Sequence, residues 1–469
     1  MLSRREFLGL AAVPALTGVA ARFGDLKGDG LGLSPFKARP LARPLPTADQ
    51  LAWQRDERAL FLHFGVNTFT DREWGDGTED PAIFNPTALD ARQWTRTARA
   101  AGFRALILTA KHHDGFCLWP TRTTRHSVAA SPWRGGHGDV VREFVEACRA
   151  DGLRAGLYLS PWDRHEPVYG DSPRYNDFYA DQLTELLTRY GRIDEVWFDG
   201  ANGEGPNGRK QTYDWPRVWE LVRRLQPHAI RFSDAGPDVR WIGNEQGVAG
   251  DPNWSTVDPS VVPVPGLSGR AVTSMLLHGD PNGAVWRPGE TDVSIRPGWF
   301  HHDAETARVR SVDNLVGLYF TSVGRNSKLL LNVPPNRAGL IDDIDAARLA
   351  GMRDRLSALF AEDLAHRSRV VWHDDATGTR SALIDLGVAR HVGVVDLGED
   401  MSRGQYVSSW RLESLADGDE SAPIAAGTTI GYRRLERWPS RAVRRLRLTV
   451  SGAPRARDIR LALFEGERT

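Results

Sequence analysis

Between residues 55 and about 345, short apolar runs alternate with amphipathic stretches of helical period, and this alternation limits the possible folds more than any other property of the chain. The runs lie at 59–65, 105–111, 155–160, 193–200 and 229–234. Between them, Val141, Phe144, Val145 and Cys148 follow i, i+3, i+4, i+7 spacing, with Gly152 placed to end the helix. Tyr175, Phe178, Tyr179, Leu183, Leu186, Leu187 and Tyr190 mark a second helix ending at Gly191. A third begins near Asp214, has Pro216 in its first turn and stops before Pro227. Strand and helix alternating at steps of roughly 35–50 residues predict parallel βα units and a (β/α)8-type, TIM-like barrel. Residues 250–300 are rich in Pro, Gly and Asp, so the later strands resist placement and long loops are expected there. After a helix across roughly 344–365 the apolar period becomes two. Leu446, Leu448 and Val450 alternate with Arg445, Arg447 and Thr449, as do Ile459, Leu461 and Leu463 with Arg460 and Ala462. Turn signals at Asp417-Gly418 and Gly431 complete the pattern of an antiparallel β-sandwich. The predicted division is a barrel over 46–345, a connecting helix over 346–367 and a sandwich over 368–469.

Ahead of the barrel, residues 1–21 combine Arg4-Arg5, an apolar run from Phe7 to Val19 and small residues at 19–21. The run is short and broken by Pro14 and Gly18, so it reads as a signal peptide rather than a membrane span. Ser3-Arg4-Arg5-Glu6-Phe7-Leu8 has the form of a twin-arginine export signal, which predicts a periplasmic or extracellular protein. Residues 22–45 read as a linker. No later stretch reaches the length of apolar sequence that a membrane span needs, so a soluble mature protein is expected. The 60 basic residues balance 60 acidic ones, which argues against a nucleic-acid binder. Two cysteines exclude a disulfide scaffold, and Cys117 and Cys148 are expected to be free thiols. Sixteen tryptophans are many for this length and suit flat, partly apolar ligands.

In such a barrel the chemistry gathers where the strands end. Those ends read His63-Phe64-Gly65, Lys111-His112-His113-Asp114, Tyr158-Leu159-Ser160, Trp197-Phe198-Asp199-Gly200 and Ser233-Asp234, a polar and aromatic cup where a core would carry Val or Leu. A metal site is not expected: HExxH and CxxC are absent, and His112 and His113, as strand neighbours, should point opposite ways. Serine chemistry lacks its nucleophile elbow, a phosphate loop is missing too, and no cofactor is expected. Carboxylate chemistry remains. Asp199 ends an apolar strand, and Gly200 beside it would admit a ligand closely. Glu245, in the run 241–247 beyond the fifth strand, could supply a proton. A nucleophilic aspartate and a protonatable glutamate on neighbouring strands form the apparatus of retaining glycoside hydrolysis.

HFG at 63–65, EWG at 73–75, KHHDGF at 111–116, YLSPWDRH at 158–165, VWFDG at 196–200 and GRNSKLLLNVPPNRAGLI at 324–341 together resemble the α-L-fucosidases of glycoside hydrolase family 29. The resemblance covers about residues 50–345, and barrel followed by sandwich is that family's order too. It implies that Asp199 is the nucleophile and that His63, Glu73, Trp74, His112, His113, Tyr158 and Trp197 contact fucose, with Trp299 completing the platform. GPDVRWIGNEQG at 236–247 and WRPGETDVSIRPGWF at 286–300 resemble the branch that prefers α-1,3/1,4-linked fucose, in which the acid/base maps onto Glu245. Glu290 competes for that role, against a reading as a loop-ordering carboxylate paired with Arg287 or Arg296. Lys111 and Asp163 are expected to orient the contact residues. The expected partner is a fucosylated oligosaccharide or glycoconjugate. The alternatives are a broad-specificity fucosidase with its acid/base elsewhere and a non-catalytic fucose-binding protein.

Overall fold

Eight parallel strands close into a barrel in the computed structural model, which describes residues 43–466 apart from 376–377, 417–419, 453–454 and 456–457. The leader at 1–21, nearly all of the linker and the Asp417-Gly418 turn lie outside the described residues. In chain order the strands are β1 (Arg58–Leu62), β2 (Ala105–Lys111), β3 (Arg154–Leu159), β4 (Glu195–Trp197), β5 (Ile230–Ser233), β6 (Val239–Trp241), a hairpin of β7 (Thr256–Val257) and β8 (Val285–Trp286), then β9 (Gly289–Ser294) and β10 (Ser327–Asn332). The hairpin stands apart; the other eight form the barrel, closed by β10 pairing β1. The five apolar runs are five of these strands. Their side chains are buried on both faces, as expected for a parallel sheet covered by helices.

Helices Ala91–Ala100, Val140–Ala150, Ser172–Arg189, Trp215–Leu225 and Val312–Thr321 press their apolar faces onto the barrel. Asp90, Asp139, Asp214 and Ser311 cap four of them, each side chain accepting a first-turn backbone N–H. One crossover has no helix. Only residues 234–238 link β5 to β6, and Arg231 clasps Asp238 across that link through Nε (2.7 Å) and NH2 (2.8 Å). So short a return suffices because the two strands share only the pairs Phe232↔Val239 and Ser233↔Arg240. Between β6 and β9 the long excursion 242–288 carries the β7–β8 hairpin and helix Arg270–His278, which packs Val272 and Leu276 against Ala235 and Val262.

Inside the barrel, Phe61, Ile107, Tyr158, Trp197, Phe232 and Leu330 form a mainly aromatic plug. Helix Asp343–Leu359 leads to six antiparallel strands: β11 (Arg369–Asp374), β12 (Thr379–Glu399), β13 (Ser409–Leu415), β14 (Ser421–Gly427), β15 (Arg434–Ser451) and β16 (Ile459–Phe464). They form one continuous hydrogen-bonded sheet. The long β12 is interrupted between Asp385 and Arg390 and again after Val392, and such bulges bend a strand, so two layers can come from one sheet. Leu446, Leu448 and Val450 enter its core as their alternation predicts. Along β16 the alternation holds as well: Ile459 and Leu463 enter the same core, while Ala462 and Phe464 on the opposite face pack with the barrel's helices. Barrel and sheet belong to one compact unit, residues 44–469. Among the described residues no helix is long and apolar enough to cross a membrane.

Candidate active site

Five of the residues expected in the cup are gathered around Asp199, which follows β4 and is 7% exposed. Its Oδ1 accepts the backbone N–H of Ala201 at 2.8 Å and its Oδ2 the hydroxyl of Tyr158 at 3.1 Å, with His113 Nε2 at 3.9 Å. Two donors from different segments fix the plane of the carboxylate. The Tyr158 ring lies 5.4 Å from that of Trp197, which stacks on Phe232 at 4.1 Å and 13°. Gly200 does not serve as the sequence predicts. A Cβ there would meet Asp234 Oδ2 and the Gly266 backbone, so its smallness admits a neighbouring loop rather than a ligand.

The histidines show how strand ends become a binding surface. Asn332, ending β10, donates through Nδ2 to Ser294 Oγ (2.9 Å) and the Trp299 carbonyl (2.8 Å). Its Oδ1, 2.8 Å from His63 Nδ1, is therefore an acceptor, and His63 carries its proton on Nδ1. Burial drives the His63 pKa down to about 4, so the neutral ring leaves Nε2 as an acceptor. His113 repeats the device. Ser160 Oγ donates to the Trp162 carbonyl (2.6 Å), so it accepts from His113 Nδ1 at 2.7 Å, and Nε2 is the ring nitrogen beside Asp199. The rings of His112 and His113 lie side by side, 4.1 Å apart, against the expectation that they diverge. β2 ends at Lys111, and beyond it the chain turns, so the pleat no longer separates neighbours.

Glu73 joins two rim loops. Its Oε1 accepts the Trp299 backbone N–H, and its Oε2 takes those of Phe300 (3.3 Å) and His302 Nε2 (3.1 Å). Hydrogen bonding to Glu73 and to Asp71, against a cost of burial, raises the His302 pKa to about 9. Trp299 is thereby held with its ring 5.1 Å from His63. Trp74 stands at the edge of the cup, 6.2 Å from the His113 ring and 6.3 Å from Trp162. The loop bearing Glu73 and Trp74 is pinned from outside: Arg164 NH1 donates to the Gly75 carbonyl, and His165 Nδ1 lies 2.7 Å from that of Gly77.

The two candidate acids sit in unlike places. Glu245 is half-buried on the loop after β6, not after the fifth strand. The sequence pattern missed β6 because three residues show no period. Adjacent strands therefore cannot be what sets its distance from Asp199, because β5 intervenes. Asn244 braces the turn, accepting from Gln246 N (3.0 Å) and donating to the Val248 carbonyl (2.9 Å). Glu290 pairs with neither arginine: Arg287 Nε bonds the Pro237 carbonyl, and Arg296 pairs with Asp342 and Asp345. Alternation along β9 turns Glu290 into the barrel, where it accepts Trp197 Nε1 at 3.1 Å.

Lys111 and Asp163 form a buried pair at 2.9 Å. Burial alone would raise the Asp163 carboxyl, but Lys111 and the N–H groups of Glu166 and His165 outweigh it and hold the pKa low. The pair ties the KHHDGF segment to the loop after β3, as its orienting role requires. Cys117 and Cys148 are buried free thiols. Sequence reasoning missed Asn332, Phe300, His302 and Asp292, the last accepting Trp241 Nε1 at 2.7 Å. For Asn332 the signal was present, a polar residue closing the apolar run 328–332. A fixed carboxylate, a neutral imidazole acceptor at His63 and aromatic faces suit a small polyhydroxylated ligand and displacement at one of its carbons.

The alpha-L-fucosidase family model matches residues 52–358. A relative from Oryza sativa subsp. japonica that bears the alpha-L-fucosidase 1 name is 46% identical over 437 residues, 87% of this chain and 83% of the relative. Among solved structures, a glycoside hydrolase 29 family member from an unknown rumen bacterium superposes with a TM-score of 0.84 at 40% identity, covering 91% of this chain and 78% of that one. A Ruminococcus gnavus family 29 fucosidase in complex with fucose gives 0.81 at 31% identity, covering 92% and 97%.

Proposed function

We propose a course of reaction for a chain that belongs to the alpha-L-fucosidase family and is an α-L-fucosidase, a glycoside hydrolase that releases fucose. It acts as a retaining exo-glycosidase on terminal, α-1,3/1,4-linked fucose, with Asp199 as nucleophile and Glu245 as acid/base. The observation that carries this reading is the Asp199 carboxylate, oriented by Tyr158 and Ala201 in an aromatic cup. In the first step Asp199 bonds to C1 of fucose, the C1–O bond breaks, and the Glu245 proton goes to the departing glycosidic oxygen. In the second, water gives its proton back to Glu245, its oxygen bonds to C1, and Asp199 leaves. Neutral His63 accepts a hydrogen bond from a sugar hydroxyl, while Trp74, Trp197 and Trp299 face the apolar side of the sugar and Glu73, His112, His113 and Tyr158 complete the contacts. Glu245 is favoured over Glu290 because the latter faces inward with 0% exposure.

NMR of the first-formed product decides the stereochemistry: α-L-fucose supports double displacement, and β-L-fucose refutes it. Parallel kinetics on an aryl fucoside and a Lewis-type trisaccharide test the linkage preference. Faster turnover of the aryl substrate would instead place the enzyme among broad-specificity fucosidases, and binding without turnover would make it a lectin. Export by the twin-arginine route is part of the same reading, tested by whether Arg4→Lys with Arg5→Lys retains the protein in the cytoplasm.

A further inference from the structure

We propose that Glu290 is a positioning residue for this reaction: inside the barrel it accepts the indole N–H of Trp197 and fixes the ring against which the fucose rests. The inference builds on the reading of Asp199 and Trp197 given above and assigns a task to a carboxyl that the reaction itself does not use.

Trp197 lies two residues before Asp199 and packs against Tyr158, whose hydroxyl holds that carboxylate. Stacking on Phe232 at 13° sets the plane of the indole but leaves it free to slide and rotate within that plane. The tilted contact with Phe61, 5.2 Å between centroids, restrains it only loosely. The hydrogen bond from Nε1 to Glu290 Oε1, at 3.1 Å, is directional and removes that freedom.

The surroundings also decide the charge state of Glu290. One ammonium, that of Lys328, serves two buried carboxyls. It lies 3.4 Å from Glu195 Oε2 and 3.9 Å from Glu290 Oε2, and 4.7 Å over the Trp53 ring. Glu195 has the nearer cation and also accepts Trp53 Nε1 at 3.0 Å, so it holds the charge. Asp292 adds a further carboxyl two residues along β9, on the face that Glu290 shares. Burial, followed by the repulsion of Glu195, pushes the Glu290 carboxyl well above the usual range. Glu290 is thus an uncharged acceptor, and the cup floor is set by its geometry without a second negative charge beneath Asp199.

Glu290→Gln and Glu290→Leu separate the roles. Glutamine keeps an uncharged acceptor, so kcat/KM should stay within about twofold of wild type, with an unchanged pH profile. Leucine fills a similar volume but strands the indole N–H, so kcat/KM should fall about tenfold or more. Calorimetric affinity for free fucose should fall with it, and Tm should drop somewhat because a buried donor loses its partner, so both variants are assayed well below their melting range. In a Trp197→Phe background, which has no N–H to lose, the gap between the two variants should close. Should Glu290→Leu fold poorly, Glu290→Met takes its place in both backgrounds. Wild-type kcat/KM in the leucine variant would overturn the inference, as would a glutamine variant that falls as far as leucine. Full activity in Asp199→Ala would overturn the reaction scheme instead, while fucose affinities would still report on the Glu290–Trp197 contact.

Discussion

Asp199 concentrates the chemistry in one side chain, and its removal gives the sharpest expectation. In Asp199→Ala the covalent step has no nucleophile, so kcat should fall on the order of 10³-fold or more. Tm should fall only modestly, by the loss of the acceptor for the Tyr158 hydroxyl and the Ala201 N–H, and stopped assays alongside thermal melts will check both. At this scale much of the cup was legible in the sequence. His63, Tyr158, Trp197 and Asp199 each interrupt or close an apolar run, and a run that ends in a polar or aromatic residue at one barrel face announces a binding surface. The tasks of Asn332 and Ser160 were not legible, because both act on the ring nitrogens of other residues. Asn332 meets His63 across 269 positions of chain, and no local pattern encodes that pairing. Glu290 was misread for a related reason: its arginine neighbours in sequence point elsewhere, and its partners Trp197 and Lys328 come from other strands.

At the scale of elements, the rim depends on two loops joined through Glu73. His302 adds a pH dependence whose sign follows from its environment. Its pKa rises on folding, from the usual 6.5 to about 9, so the stabilisation is complete below 6.5 and is lost as pH climbs through 9. The wild type should therefore be more stable than His302→Gln at pH 6, by an amount on the order of 2 kcal/mol, with a correspondingly higher Tm, and the two should converge near pH 10. Melting curves across that range provide the check. Gly77 is the matching steric point. Its φ is +87°, and a Cβ would overlap the Arg164 carbonyl, so Gly77→Ala should displace the loop bearing Glu73 and Trp74. A rise in KM of about tenfold, larger than any change in kcat, is expected in steady-state kinetics. The helices were legible from their caps and apolar spacing, as at Asp214 and Pro216. β6 was not, being three residues long and reached from β5 without a helix.

For the whole molecule, the junction of barrel and sheet turns on Asn326, a buried residue at φ +58°. Its Oδ1 accepts Tyr432 N (2.8 Å) and Gln54 Nε2 (3.1 Å), and its Nδ2 donates to the Asn253 carbonyl and Ser255 Oγ. Asn326→Ala would strand several buried groups and place a residue that resists positive φ, at a cost of about 2–4 kcal/mol. A lower urea midpoint at unchanged m-value would register it. One further consequence follows from the long excursion between β6 and β9. All eight barrel strands lie outside the excursion 242–288, which carries both the proposed acid, Glu245, and the wall beside it. Exchange of this one segment between relatives would alter proton donor and leaving-group fit together and leave the fucose pocket standing. The barrel therefore works as a socket with a replaceable jaw, and descent could diversify the glycans it accepts without rebuilding what it grips.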